Sequence, residues 1–239
     1  MRKFGISTVL AVPALCALLG FSALQAHATS TATMKFDGTT YNGKGGNSLG
    51  GVSTYPYYFT INGASTEVPL LCLSFQDEIK TGETWTADID AIGTSGISLT
   101  TTQQKEDAYI DSELISAFNA NPVGNKTAIE ELQWAAWMIG DSGLSNWDLE
   151  HIYNLSSGEV TAIDTDVTGA IGSLSTESAS FYANYQLYVP VNGTQPRDDG
   201  TPQTFIGQSP TPEPSSLLLL GTGLLSAAGA IYRRKRQTV

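Results

Sequence analysis

Short runs in which apolar and polar residues alternate dominate the stretch after the N-terminal leader. "ATMKFDG" (residues 32–38) and "YPYYFTI" (residues 55–61) follow this period of two, which suits a strand with one covered face. Asn62 and Gly63 come directly after the second run, and this pair favours a tight hairpin turn. "VPLLCLSF" (residues 68–75) differs because both alternating sets are apolar, so it is expected as a central strand buried on both faces. "KTGE" then makes a turn, and "TWTADIDAI" (residues 84–92) is a further strand with Trp85, Ala87 and Ile89 on one side.

The period then lengthens. Thr101 and Gln104 have capping-box spacing, and Ile110, Leu114 and Phe118 recur as on one helical face. "NPVGN" interrupts this helix. Thr127 and Glu130 are expected to cap a second one, "AIEELQWAAWMI", which Gly140 closes. Ser145 and Asp148 are expected to start a short third helix, "NWDLEHIY". Residues 158–185 have no decisive period, and "NYQLYVPV" and "QTFIGQ" read as closing strands. The expected fold is α+β: a β-rich body, sandwich or barrel-like, with a helical segment inserted between its strands.

The two ends have patterns of their own. Arg2 and Lys3 precede the apolar run of residues 9–24, and Ala26 and Ala28 supply the small residues that a signal peptidase needs. Residues 1–28 are thus expected to be a cleaved secretory signal that takes Cys16 with it. At the other end, residues 215–232 carry no charge and approach the length of a single transmembrane helix. Arg233, Arg234, Lys235 and Arg236 follow in a basic tail, residues 233–239, that would stay cytoplasmic. Residues 209–214, "SPTPEP", read as a stalk, which leaves residues 29–208 as one exported domain.

Charge narrows the partners. The chain has 12 Lys and Arg against 23 Asp and Glu, a net charge of −11. Every acidic residue lies between the leader and the apolar C-terminal run, whereas half of the basic ones sit at the two ends. Nucleic acid and anionic lipid surfaces are therefore poor partners for the domain.

Candidate chemistry is sparse. His151 is the one histidine outside the leader, and no serine has a nucleophile-elbow context, so a hydrolase triad has little support. One His and one Cys are too few for a zinc site. Asp77–Glu78 and Glu130–Glu131 are adjacent in sequence and read as solvated faces rather than a glycosidase pair. Asp88 with Asp90, and Asp164 with Asp166, have the spacing of calcium ligands without the rest of a calcium loop, and are read as solvated loop acids. No cofactor is expected.

Two residues stand out. On a wheel of about 100° per residue, Gln133 falls just inside the apolar arc of Ile129, Leu132, Ala136 and Ile139. A buried amide needs a partner, because leaving it unsatisfied costs about 1–3 kcal/mol; a backbone carbonyl could supply one. Cys72 is the only cysteine the exported chain would keep. It is either a small buried hydrophobe or a reactive thiol.

Two resemblances follow from these residues. Pro212, Glu213 and Pro214, the apolar span and the basic tail resemble the PEP-CTERM sorting signal of Gram-negative bacteria. That resemblance implies processing by an exosortase and delivery to the cell surface or an exopolysaccharide matrix. Cys72 in "LCL", followed by Gln133, Ala135 and Trp137 in "LQWAAW", resembles the bacterial thioester domains of surface adhesins, with Leu132 in place of the usual threonine. This second resemblance implies an internal thioester between Cys72 and Gln133, shielded by Trp134 and Trp137, that bonds covalently to an amine-bearing surface without turnover catalysis. The alternative is a non-covalent surface or matrix module, binding carbohydrate or stabilised by calcium, in which Cys72 only fills space.

Overall fold

A computed structural model describes residues 30–39, 47–77, 79–95, 97–140, 143–191, 203–209 and 223–224. The first part of the chain forms β1 (Ser30–Gly38), β2 (Ser48–Leu49), β3 (Val52–Ser53), β4 (Tyr57–Ile61), β5 (Val68–Cys72) and β6 (Thr84–Ala91). Five helices follow: α1 (Thr101–Ala120), α2 (Lys126–Gly140), α3 (Asn146–His151), α4 (Ser157–Ser173) and α5 (Ala179–Tyr182). Strands β7 (Tyr185–Pro190) and β8 (Phe205–Gln208) complete the order. The helices thus lie between β6 and β7, as the change of period predicts.

Of the two β architectures left open by the sequence, the structure adopts the closed one. Six antiparallel strands form a barrel in the order β1-β4-β5-β8-β7-β6, with β6 returning to β1. Closure leaves no free edge among these strands. Strand β5 lies between β4 and β8, and Leu70, Leu71 and Cys72 are each 0 % exposed, as expected for a strand covered on both faces. The alternating residues Ala32, Met34 and Phe36 of β1, with Phe59, Trp85 and Leu187, fill the interior. Each large side chain removed from water contributes about 1.5–3 kcal/mol.

Local signals set the register. Asn62 and Gly63 both have positive φ, 53° and 69°, as a hairpin turn requires. The Asn62 side chain then ties the turn to β1 by accepting from the Thr33 N–H at 2.8 Å. Helix α1 starts one residue earlier than its sequence spacing suggests: Thr100 is the N-cap and Gln103 its reciprocal partner. Ser145 with Asp148 caps α3 as expected, and Ser156 with Glu159 caps α4, the helix that residues 158–185 conceal behind their Ser and Thr content.

Helix α2 departs from its expected cap. Glu130 is 4 % exposed and accepts from the Ser48 N–H at 2.9 Å, with Lys126 3.5 Å away. It thereby fastens the β2–β3 hairpin to the helix instead of facing solvent. The paired aspartates also depart from expectation. Asp88 and Asp90 lie within β6, opposite Val189 and Leu187, and Asp164 and Asp166 lie within α4, so none is a loop acid. No helix among the described residues is long and apolar enough to cross a membrane. The expected span at residues 215–232 lies outside the described residues apart from Gly223 and Leu224, as do Ala26, Ala28, the Pro-Glu-Pro motif and the basic tail.

Candidate functional site

Helix α1 packs on β8, and α2 packs on β5 and β2. This docking lays the Gln133 face of α2 over the end of β5. The fit is close at Gly140, where a Cβ would come within 3.0 Å of the Leu73 carbonyl oxygen. Gln133 and Cys72, 61 residues apart in sequence, meet here: Gln133 Nε2 donates to the Cys72 main-chain carbonyl at 2.7 Å. Both residues are 0 % exposed, and Gln133 Oε1 has no hydrogen-bond partner.

The thiol is held as a neutral group. Burial pushes the Cys72 pKa up to about 12, against partial relief from the Trp137 indole and the Ser74 backbone; the nearby charge of Asp77 raises it further. The S–H donates to the Ser74 carbonyl oxygen at 3.4 Å. Trp137 Nε1 is buried without a hydrogen-bond partner.

Aromatic rings close the site. Trp134 and Trp137 are 0 % and 1 % exposed and meet edge to face, centroids 5.1 Å apart at 89°. Phe75 packs on both, at 5.2 Å and 5.0 Å, and Tyr153 packs on Trp134 at 5.0 Å. The sequence reading named the two tryptophans and missed Phe75 and Tyr153, although Phe75 ends the same apolar run that contains Cys72. Tyr57 completes the surroundings; its hydroxyl pKa is raised well above the usual value by burial and then by Cys72.

Asp77 departs from its expected place on a solvated face. It is half-buried rather than solvated, and burial raises its carboxyl pKa against the lowering effect of the Ser74 hydroxyl. Its carbonyl accepts from Gln203 Nε2. Glu78 lies outside the described residues. Asp77, Gln203, Phe75, Tyr57 and Trp137 line one cavity of about 640 Å³, together with Gly51, Val52 and Ser53 of the β2–β3 hairpin. His151, in contrast, is exposed: it stacks on Trp147 at 4.6 Å on the outer side of α3 and takes no part in the site. Among the described residues no group of three or more His, Cys, Asp or Glu is placed to hold a metal ion.

No curated protein sequence matches the chain. The structure aligns with the N-terminal thioester domain of fibronectin-binding protein SfbI from Streptococcus pyogenes, at 13 % identity and a TM-score of 0.43, over 76 % of this chain and 94 % of that one. Residues 210–236 match the family model of the PEP-CTERM protein-sorting motif, so the chain carries the signal of exported proteins that an exosortase processes, held at the membrane by their C-terminus beforehand.

Proposed function

We propose that this protein is a structural or adhesive component of the cell surface or its matrix, whose barrel domain stores a Cys72–Gln133 thioester and spends it once on an amine-bearing partner. The single observation that carries this reading is the contact between Gln133 and Cys72, buried behind Phe75, Trp134 and Trp137. In the forming step Cys72 Sγ bonds to Gln133 Cδ, the Cδ–Nε2 bond breaks, and the nitrogen leaves as ammonia with the thiol proton. Cys72 is the nucleophile and later the leaving group; Gln133 is the acyl donor. The dry aromatic wall slows hydrolysis of the stored acyl group. The protein is regenerated by no later step, so it is a single-use reagent rather than an enzyme.

The unpartnered Gln133 Oε1 also supports this reading. A core amide oxygen without a donor costs about 1–3 kcal/mol, whereas a thioester oxygen is a weaker acceptor and is cheaper to leave dry. One observation favours the non-covalent alternative: Gln133 Nε2 already has the backbone partner that an ordinary core glutamine would seek.

The two separate on exposure to a fluorescent primary amine followed by peptide mapping. The thioester reading expects one label, at Gln133, absent from Cys72→Ala. A protein that takes up no label while folded, and whose Cys72 alkylates fully once unfolded, would establish the non-covalent module.

A further inference from the structure

The cavity beside the site contains a group with no role so far. Among the described residues its charged lining is Asp77 and Lys80. Asp77 follows Cys72 by five residues, and the chain between them folds back so that Ser74 links the two. The Ser74 carbonyl accepts from the Cys72 thiol at 3.4 Å. The Ser74 hydroxyl accepts from the Thr204 N–H at 3.0 Å, which leaves its own hydrogen to donate to the Asp77 carboxylate. Gln203 Nε2 donates to the Asp77 carbonyl; Gln203 lines the same cavity, and its Oε1 is buried and unpartnered. The same wall includes Trp137 and Tyr57, and burial with the nearby Cys72 raises the Tyr57 hydroxyl pKa. The cavity thus carries a carboxylate and an amide in its wall, beside the Phe75 and Trp137 rings behind which Cys72 lies fully buried.

We propose that Asp77 is the proton-transfer group of this site and that the cavity is the entry for a primary ammonium group, which Asp77 and Gln203 Oε1 receive. The inference rests on the thioester reading. In the step it describes, the bound ammonium first gives one proton to solvent; the nitrogen of the neutral amine then bonds to Gln133 Cδ while the Cδ–Sγ bond breaks and its electron pair goes to sulfur. Asp77 takes the proton that the nitrogen must shed and passes it to Sγ. The products are an amide at position 133, the neutral Cys72 thiol and the Asp77 carboxylate as it began. A sulfur this deeply buried is a poor leaving group as a bare thiolate, which is why the step needs a proton donor close by. Among the described residues the titratable groups around Asp77 are Lys80 and Tyr57, which line the same cavity, and the Cys72 thiol.

The test uses the exported domain with wild-type, Asp77→Asn and Asp77→Ala sequences, following methylamine incorporation by intact mass from acid to mildly alkaline pH. Asp77 is half-buried on a loop, so both variants should fold, which circular dichroism checks. The expected result is a loss of about 100-fold in the rate for Asp77→Asn, with only the acid limb set by the free methylamine fraction remaining. Added formate should restore part of the rate in Asp77→Ala, a recovery that a purely structural role would not give. A folded Asp77→Asn protein that keeps its ammonia while wild-type loses it also supports the proposal, because thioester formation is the same proton transfer run in reverse. Wild-type rate and profile in Asp77→Asn would overturn it. A wild-type protein that never loses ammonia would overturn the thioester reading instead.

Discussion

The side-chain amide of Gln133 points its N–H at the main-chain carbonyl of Cys72, 2.7 Å away, and leaves its own carbonyl oxygen without a donor. The two residues of the proposed thioester are thereby held on facing elements, one on α2 and one at the end of β5. Gln133→Ala removes the donor and strands the Cys72 carbonyl in a dry environment. The expected cost is about 1–3 kcal/mol in denaturant unfolding, together with loss of amine labelling.

Cys72→Ala should behave differently. It removes one small apolar group from a packed site, at a cost of about 1 kcal/mol, and abolishes labelling while the far-UV spectrum stays unchanged. Any protein that has not formed the bond carries a thiol whose folded pKa, about 12, lies above its ordinary 9.0. The thiolate is therefore suppressed, and alkylation at neutral pH should be slow until the protein is unfolded. With a raised folded pKa, the linked stability is complete below the ordinary value and lost as pH rises toward 12.

Asp107 and Asp111 give a second pH prediction. They stand one turn apart on α1, are 0 % and 1 % exposed, and neither Asp107 oxygen has a partner. Burial raises both pKa values well above 3.8; for Asp107 the neighbouring Glu106 and Asp111 add to the rise. Folding therefore takes up protons. The associated stability is complete below the unfolded-state values and drains away as pH rises through the folded ones. Asp107→Asn, neutral at every pH, should unfold at higher denaturant than wild-type at neutral pH and should lose that advantage in acid.

The β2–β3 hairpin closes the cavity and depends on Gly50. Its φ is +64°, and a Cβ there would meet Leu155 Cδ1 at 2.7 Å and the Tyr153 carbonyl oxygen at 3.0 Å. Gly50→Ala is expected to lift the hairpin from its seat on Tyr153 and admit water. Hydrolysis of the stored acyl group, read as appearance of a carboxylate at position 133, should become faster while the barrel keeps its melting behaviour.

Much of the architecture is legible in the residues. Alternation marks β1, β4 and β6, the doubly apolar run marks β5, and the move to helical spacing at Ile110 and Leu114 marks the insertion. What escapes depends on contacts that local pattern does not carry. Glu130 has the spacing of a capping residue, but the N–H of Ser48, 82 positions away, claims it. Val160, Ile163 and Ala170 are buried at helical spacing in α4, yet Thr and Gly between them blur the period. Asp77 beside Glu78 looks solvated until the chain turns at Ser74 and brings it back toward Cys72. The pairing of Cys72 with Gln133 was readable only through a family resemblance, because no local rule joins a strand residue to one on a later helix.

The intact mass of the purified exported domain tests the central claim most directly. A stored thioester predicts a mass one ammonia below that of the sequence, with the deficit replaced by methylamine when that amine is added. The full sequence mass, unchanged by methylamine, would contradict the account and leave Cys72 and Gln133 as a buried pair that only holds α2 against β5.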